Sequence, residues 1–376
     1  MNALNQLTHP QQMLIALLKL ALWNRVPDKV LFEKANDLIW NEVYILSAYQ
    51  GVKAIVFDGI LLLSEELQPP RSIKLKWAVN VEAIEHRYEQ ELAVANEIAD
   101  IFTKNNIKIL LFKGIGLAQY YPLPQHREFG DIDFYLFGKQ EEGDRLLIQS
   151  GAVEEKYNIQ IPKHTGLQYK RIPLENHKYF LSNNVAALEK RLLETVSGDK
   201  PLSSRLVNNA LFPSPDFNVL FMVCHTFGHF LAGHLLLRDL CDWTLFLKAN
   251  KGAIDFVTWR RLITESCFIK FADALTALSV KYLEFDLELA PPFESNPIIE
   301  DRIMQESFNP LLFPKTEKQT FLKIIGFKMK LLESQKWKYK ELFSLKQFYK
   351  GIGNSIIIHI AHPAITQYLK KNVFSK

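Results

Sequence analysis

The sequence predicts an α+β protein in which a small mixed-sheet core lies between helical N-terminal and C-terminal regions. Two observations lead there. Apolar residues recur at helical spacing through residues 8–105 and again beyond 215. Between those flanks, short apolar strand-like runs alternate with helical ones. The expected division is 1–105 helical, 106–200 mixed core, and 201–376 helical with a basic tail.

In the first flank, Leu14, Leu17, Leu18 and Ala21 share one helix face. So do Val52, Val56, Ile60 and Leu63, with a shorter hint from Val43 and Leu46. Residues 8–68 therefore read as two or three helices. Pro69 and Pro70 stop this unit, since a proline disfavours the helical region for its predecessor. Ile73–Asn105 follows as one long amphipathic helix with Glu82, Glu85, Arg87, Glu89 and Glu91 scattered along it.

Ile107–Phe112 is the first strand of the core. A Lys113-Gly114 turn, a short helix and a polar loop lead to a second apolar strand carrying Asp131 and Asp133. Gln140–Ser150 reads as a helix. Ala152–Tyr157, Gly166–Arg171 and Ile172–Phe180 read as strands, Ala186–Val196 as a helix and Pro201–Pro215 as a loop. The remainder gives helices at Phe217–His229, Leu235–Ala249, Phe256–Cys267, Ala272–Phe285, Glu317–Leu332 and Ser355–Lys371, punctuated by Pro291-Pro292.

Composition narrows the function classes. At 48% hydrophobic and 23% charged, 376 residues can bury a sizeable core. A net charge of +4 does not mark the whole chain as a polyanion binder. The charge is unevenly spread, however. Thirteen lysines and three glutamates give Lys315–Lys376 a charge of +10, leaving −6 on 1–314. Cys224, Cys241 and Cys267 are too few and scattered for a disulfide framework, and no C-x-x-C pair suggests a metal ribbon. Gln11, Gln12 and Lys19 interrupt the first apolar run, which lacks a secretory pattern. The apolar run Ser355–His362 is too short to span a bilayer. A cytoplasmic protein with no integral membrane association is expected.

Asp131 and Asp133 carry the first chemical signal. Side chains alternate along a strand, so both carboxylates point the same way, roughly 6.5 Å apart. On an otherwise apolar strand they repel and lose hydration. A divalent cation offsets both costs, and oxygen-rich sites suit Mg²⁺ or Mn²⁺. The plain alternative is an Asp pair capping a turn after Gly130. Glu175, in Leu174-Glu175-Asn176-His177, is a further carboxylate in an apolar strand pattern and could complete an acidic cluster. Such clusters hold ions in phosphoryl-type transfers. Lys113 and Arg127 add positive charge for phosphate, and Gly114 permits close backbone approach at a helix start. Solvation of Lys113 and a purely turn-forming Gly114 are the plain readings.

This combination resembles the nucleotidyltransferase superfamily related to DNA polymerase beta, and within it the uncharacterised bacterial nucleotidyltransferase family proteins. The matching residues are Phe112-Lys113-Gly114, Tyr120-Tyr121-Pro122, Arg127 and Asp131-Ile132-Asp133-Phe134. The wider superfamily has Gly-Ser or Gly-Gly at the turn; Lys-Gly here follows the narrower group. The resemblance implies that Asp131, Asp133 and Glu175 hold Mg²⁺ or Mn²⁺ and carry catalysis. It implies that Lys113, Gly114 and Arg127 hold the triphosphate of an NTP, and that Arg238 and Asp242 touch substrate or brace the acidic strand. The implied reaction passes a nucleoside monophosphate to a hydroxyl and releases pyrophosphate. A small molecule, a protein side chain and an RNA end all remain open as acceptor.

Other features admit several readings. His225, His229 and His234 precede Asp239 and Asp242, and the i, i+4 spacing of the first two can bind zinc. Thr226 stands where a zinc protease has glutamate, so partly buried, hydrogen-bonded histidines are favoured over zinc, with a helical wall beside the nucleotide as the second reading. The aspartates would cap or pair with Arg238. In the basic tail, Lys315–Lys350 interleaves lysines with Trp337, Tyr339, Phe343, Phe348 and Tyr349. A solvated helix face with buried aromatics is favoured over a nucleic-acid or membrane surface. No Walker loop, nucleophile elbow or complete dinucleotide fingerprint occurs. The competing functions are a non-catalytic binding module of the same fold and phosphoester hydrolysis at the acidic site.

Overall fold

The computed structural model describes residues 7–154, 163–181, 186–198, 202–203, 206–310, 321–346 and 349. It opens with helices α1 (His9–Trp23), α2 (Val30–Glu33), α3 (Asp37–Tyr49) and α4 (Lys53–Leu62). That is one more than the periodicity indicates, because α2 has only four residues, too few to display a 3.6-residue repeat. Leu14, Leu17 and Leu18 of α1 and Val56 and Ile60 of α4 are fully buried. The two helices approach so closely that a Cβ on Gly59 would lie 2.4 Å from the Leu17 carbonyl oxygen.

Pro70 leads into α5 (Arg71–Lys104), whose 34 residues span about 50 Å at 1.5 Å per residue. Its first half buries Ile73, Trp77 and Val81 among the N-terminal helices. Its second half buries Val94, Ala95, Ile98, Ala99 and Phe102 beneath the sheet. Glu91 is one of the charges scattered along this helix. It is buried and accepts from Arg87 Nε at 2.7 Å, and burial pushes its carboxyl up to about 7.

The core then runs β1 (Leu110–Phe112), α6 (Lys113–Ala118), β2 (Ile132–Tyr135), α7 (Gln140–Gln149), β3 (Val153–Glu154), β4 (His164–Tyr169), β5 (Ile172–His177), α8 (Ala186–Gly198), β6 (Leu202–Ser203) and β7 (Leu211–Phe212). The seven strands form one mixed sheet in the order β3-β4-β5-β2-β1-β7-β6. Strands β1 and β2 are antiparallel, while β2 pairs with β5 and β1 with β7 in parallel. The segment expected as a loop at 201–215 contributes β6 and β7, each two residues long and so without a readable alternation. Strand β5 ends at His177 rather than Phe180. The hairpin joining β4 to β5 turns on Lys170 and Arg171, both at positive φ (49° and 66°). Two-residue hairpins favour Asn and Gly at such positions, so the turn leaves little trace in the sequence.

Register sorts the side chains. Asp133 lies opposite Phe112 and Glu175, and His177 lies opposite Tyr135 and His164. Paired residues share a face, so Asp133, Glu175, His177 and His164 gather on one side. Leu111, Ile132, Phe134, Leu167 and Leu174 take the other side, in a cluster with the end of α5 and Leu147 of α7.

The C-terminal part comprises α9 (Pro215–Ala232), α10 (Leu237–Asn250), α11 (Phe256–Glu265), α12 (Ile269–Leu283), α13 (Pro297–Phe308) and α14 (Phe321–Leu342). Helix α13 has no counterpart in the sequence reading, although Asn296 caps it by accepting from Ile299 N and Pro297 begins it. Aromatics in and just beyond α14 turn inward at two described positions. Trp337 is buried and donates to Glu306, and Phe343 packs on Phe227 and Phe268. The expected helix Ser355–Lys371, with Phe348 and the rest of the basic tail, lies outside the described residues. Among the described residues, no helix is long and apolar enough to cross a membrane.

Candidate active site

A cavity of about 440 Å³ opens between the polar face of the sheet and the C-terminal helices. Lys113, Gly114, Arg127, Asp131, Asp133, Glu175 and Arg238 all line it. Seven of the eight residues singled out from the sequence thus meet in one place. Asp242 is the exception and lies behind Arg127.

The three carboxylates come from β2, from the residue just before it and from β5. Asp131, Asp133 and Glu175 each offer an oxygen within 4.8 Å of the others. Asp133 is 1% exposed and Glu175 is 25% exposed. Lys113 Nζ donates to Asp133 Oδ1 and lies 3.4 Å from Glu175 Oε2. His177 Nε2 meets the same two oxygens at 2.8 and 3.2 Å. His164 Nε2 stands 3.5 Å from Glu175 Oε1. Asp133 Oδ2, in contrast, is buried with no hydrogen-bond partner. An unpaired carboxylate oxygen inside a protein is costly unless a cation answers it. The donor set, all oxygen with one acceptor left open, fits Mg²⁺ or Mn²⁺.

Electrostatics divides the pair. Burial, followed by the neighbouring Asp133 charge, lifts Asp131 to about 6. Burial would also raise Asp133, but the Lys113 ammonium and the His177 hydrogen bond outweigh it and hold that carboxyl well below the usual range. The two carboxylates in turn raise Lys113 above its ordinary value despite its burial.

Arg127 and Asp242 pair with each other, where the sequence offers Arg238 as the aspartate's partner. Both are buried, and they are joined at two points, Nε to Oδ1 at 3.1 Å and Nη2 to Oδ2 at 2.8 Å. Tyr121 donates to the same Oδ1 at 2.6 Å. A buried guanidinium needs a counter-charge, and Asp242 supplies it. Arg238 donates from Nη1 to the Glu128 carbonyl at 3.1 Å, while its Nε is buried without a partner. Asp239 caps α10 by accepting from Leu236 N. Gly114 has its own steric reason: a Cβ there would lie 2.8 Å from the Phe129 ring.

The histidine series separates. His225 and His229 line the cavity on α9, with ring centroids 4.3 Å apart. His234 lies elsewhere, stacked on Tyr49 at 5.1 Å. Burial, then the Lys113 charge, keeps His225 well below its ordinary value. The groups able to share an ion among the described residues are Asp131–Asp133–Glu175 and His164–Glu175–His177, and neither includes these histidines.

The sequence does not mark Lys163, His164, Phe227 or Phe268 as lining the site, and it places Tyr339 and Phe343 in the basic tail rather than in the cavity's far wall. His164 is set opposite His177 by the two-residue turn at Lys170-Arg171, and because that turn leaves little trace in the sequence the placement could not be read from it. The wall is assembled from α9, α12 and α14 and their approaches, and no local pattern announces it.

A protein-family model described as uncharacterised nucleotidyltransferase matches residues 36–283, a span that includes the whole sheet. No curated protein matches the chain, and no solved structure does.

Proposed function

The chain belongs to the uncharacterised nucleotidyltransferase family, and from that premise we propose that it transfers a nucleoside monophosphate from an NTP to a hydroxyl acceptor. The acceptor oxygen attacks the α-phosphorus, the bond to the β-phosphate bridging oxygen breaks, and pyrophosphate leaves. The observation that carries this reading is the buried, unpartnered Asp133 Oδ2 beside Asp131 and Glu175. These three residues would hold Mg²⁺ or Mn²⁺. Such an ion, when bound, neutralises phosphate charge and lowers the pKa of an attacking hydroxyl.

The chain's own residues supply the rest. Glu175, the more exposed carboxylate of the sheet, receives the hydroxyl proton. Arg238 and the backbone at Gly114, both of which line the cavity, hold the triphosphate. Lys113 contributes positive charge at the carboxylates. Arg127, fixed by Asp242, anchors Glu128–Gly130, the segment that leads into Asp131.

The test is Mn²⁺-dependent binding of labelled NTPs to wild type and to the Asp131→Ala/Asp133→Ala variant. Binding confined to wild type is expected. Equal binding by both removes the enzymatic reading and leaves a non-catalytic module of the same fold. Incubation with labelled NTP, Mg²⁺ and a cell extract then identifies the acceptor. Pyrophosphate released only when acceptor is present argues against hydrolysis.

A further inference from the structure

The acidic cluster has two unequal halves. On one side, Asp133 Oδ1 and Glu175 Oε2 are both engaged, each by Lys113 Nζ and by His177 Nε2. On the other, Asp133 Oδ2 is buried without a partner, and the Asp131 side chain among the described residues feels burial and neighbouring charges but no side-chain hydrogen bond. The position between Asp133 and Glu175 is therefore filled by a cation that belongs to the chain. The position between Asp133 and Asp131 is the one left for an ion.

The backbone at Lys113 carries an independent sign of the same division. Lys113 has φ +55°, in the left-handed region that glycine takes freely and other residues avoid. It also ends the extended run of β1 and starts α6. Glycine would make this turn with less strain. Strained non-glycine residues persist where the surroundings impose them, commonly at functional sites. Here the side chain that results reaches two carboxylates across the sheet.

We propose that the Lys113 ammonium serves as the second cation of this site, so that the cluster takes one divalent ion where two-metal enzymes take two. The inference rests on the metal-dependent transferase reading given above. It makes Lys113 a charge fixed on the sheet beside the reacting phosphate, present before any nucleotide arrives.

Counting bound Mn²⁺ by electron paramagnetic resonance tests this on the full chain. The count is made with and without an equal mixture of the α,β-methylene analogues of ATP, GTP, CTP and UTP. Wild type and Lys113→Arg should bind one ion per chain with the analogues present. Lys113→Gly should bind two, and the second ion should vanish in Lys113→Gly/Glu175→Gln. Glycine relieves the left-handed backbone, which favours a folded variant, and uncharged Lys113→Met carries the same expectation without relying on that relief. Two ions in wild type overturn the inference while leaving the transferase reading in place. A single ion in folded Lys113→Gly or Lys113→Met overturns it as well. No ion in wild type under either condition overturns the metal-dependent reading itself, and this inference with it.

Discussion

Arg127 and Asp242 meet as a buried two-point ion pair, with contacts of 3.1 and 2.8 Å, across 115 residues of sequence. The pair ties the loop before the acidic strand to helix α10, and Tyr121 adds a third bond to the same carboxylate. Positioning of Asp131 and Asp133 thus depends on a helix outside the sheet.

Breaking that pair from one side strands a buried charge. Asp242→Ala is expected to cost about 3–5 kcal/mol in urea unfolding. The double variant Arg127→Met/Asp242→Leu should cost clearly less than the two single changes added together. Simple additivity would show that the two side chains act independently.

Removing a charged oxygen from the cluster should act on chemistry more than on folding. Asp131→Asn is expected to lower nucleotidyl transfer by about 10²–10⁴, the range that several kcal/mol of metal-assisted stabilisation represents. Its unfolding midpoint should stay near that of wild type, because among the described residues burial and neighbouring charges, not side-chain hydrogen bonds, act on Asp131. Single-turnover rates with labelled NTP, measured beside thermal unfolding, separate the two effects.

Gly114→Ala places a methyl group 2.8 Å from the Phe129 ring, and an aromatic ring cannot yield as a flexible chain end does. A loss of about 1–3 kcal/mol in stability is expected. Transfer activity should fall as well, since Phe129 lines the cavity next to Asp131. A variant with unchanged melting temperature would show that the ring moves aside freely.

His126 predicts a pH dependence away from the carboxylate cluster. Its ring is buried between Asp58 and Glu85, with 2.8 Å contacts to each. Burial opposes its charge, but the two carboxylate hydrogen bonds prevail and raise its pKa. A folded value above the unfolded value of about 6.5 makes the stabilisation complete below that pH and lost as pH climbs through the folded value. Urea unfolding of wild type and His126→Gln at about pH 5.5 and pH 8.5 should therefore show a larger gap at the lower pH. A larger gap at pH 8.5 would contradict the assignment.

Much of the site could be read from the chain because its signal is local. The two-residue period of a strand suffices to put Asp131 and Asp133 on one face, and the residues after Phe112 mark the turn. The long helix α5 was legible for the same reason, since 34 residues repeat the 3.6-residue pattern many times over. Helix α2, with four residues, and β6 and β7, with two each, repeat nothing and left no signal. The Lys170-Arg171 turn was hidden because neither residue is one that favours positive φ.

By itself the sequence determined which carboxylates gather at the start of one strand, where the Lys-Gly turn falls, and that helices flank a mixed core. Each follows from backbone geometry acting over a few residues. The tertiary structure alone decided what those groups touch. It set Lys113 on Asp133 and Glu175, gave Arg127 to Asp242, left Asp133 Oδ2 unpaired, and drew His225 to the cavity but His234 away from it. Partners of buried charges are chosen by desolvation and by contacts between residues distant in sequence, and no local period encodes them.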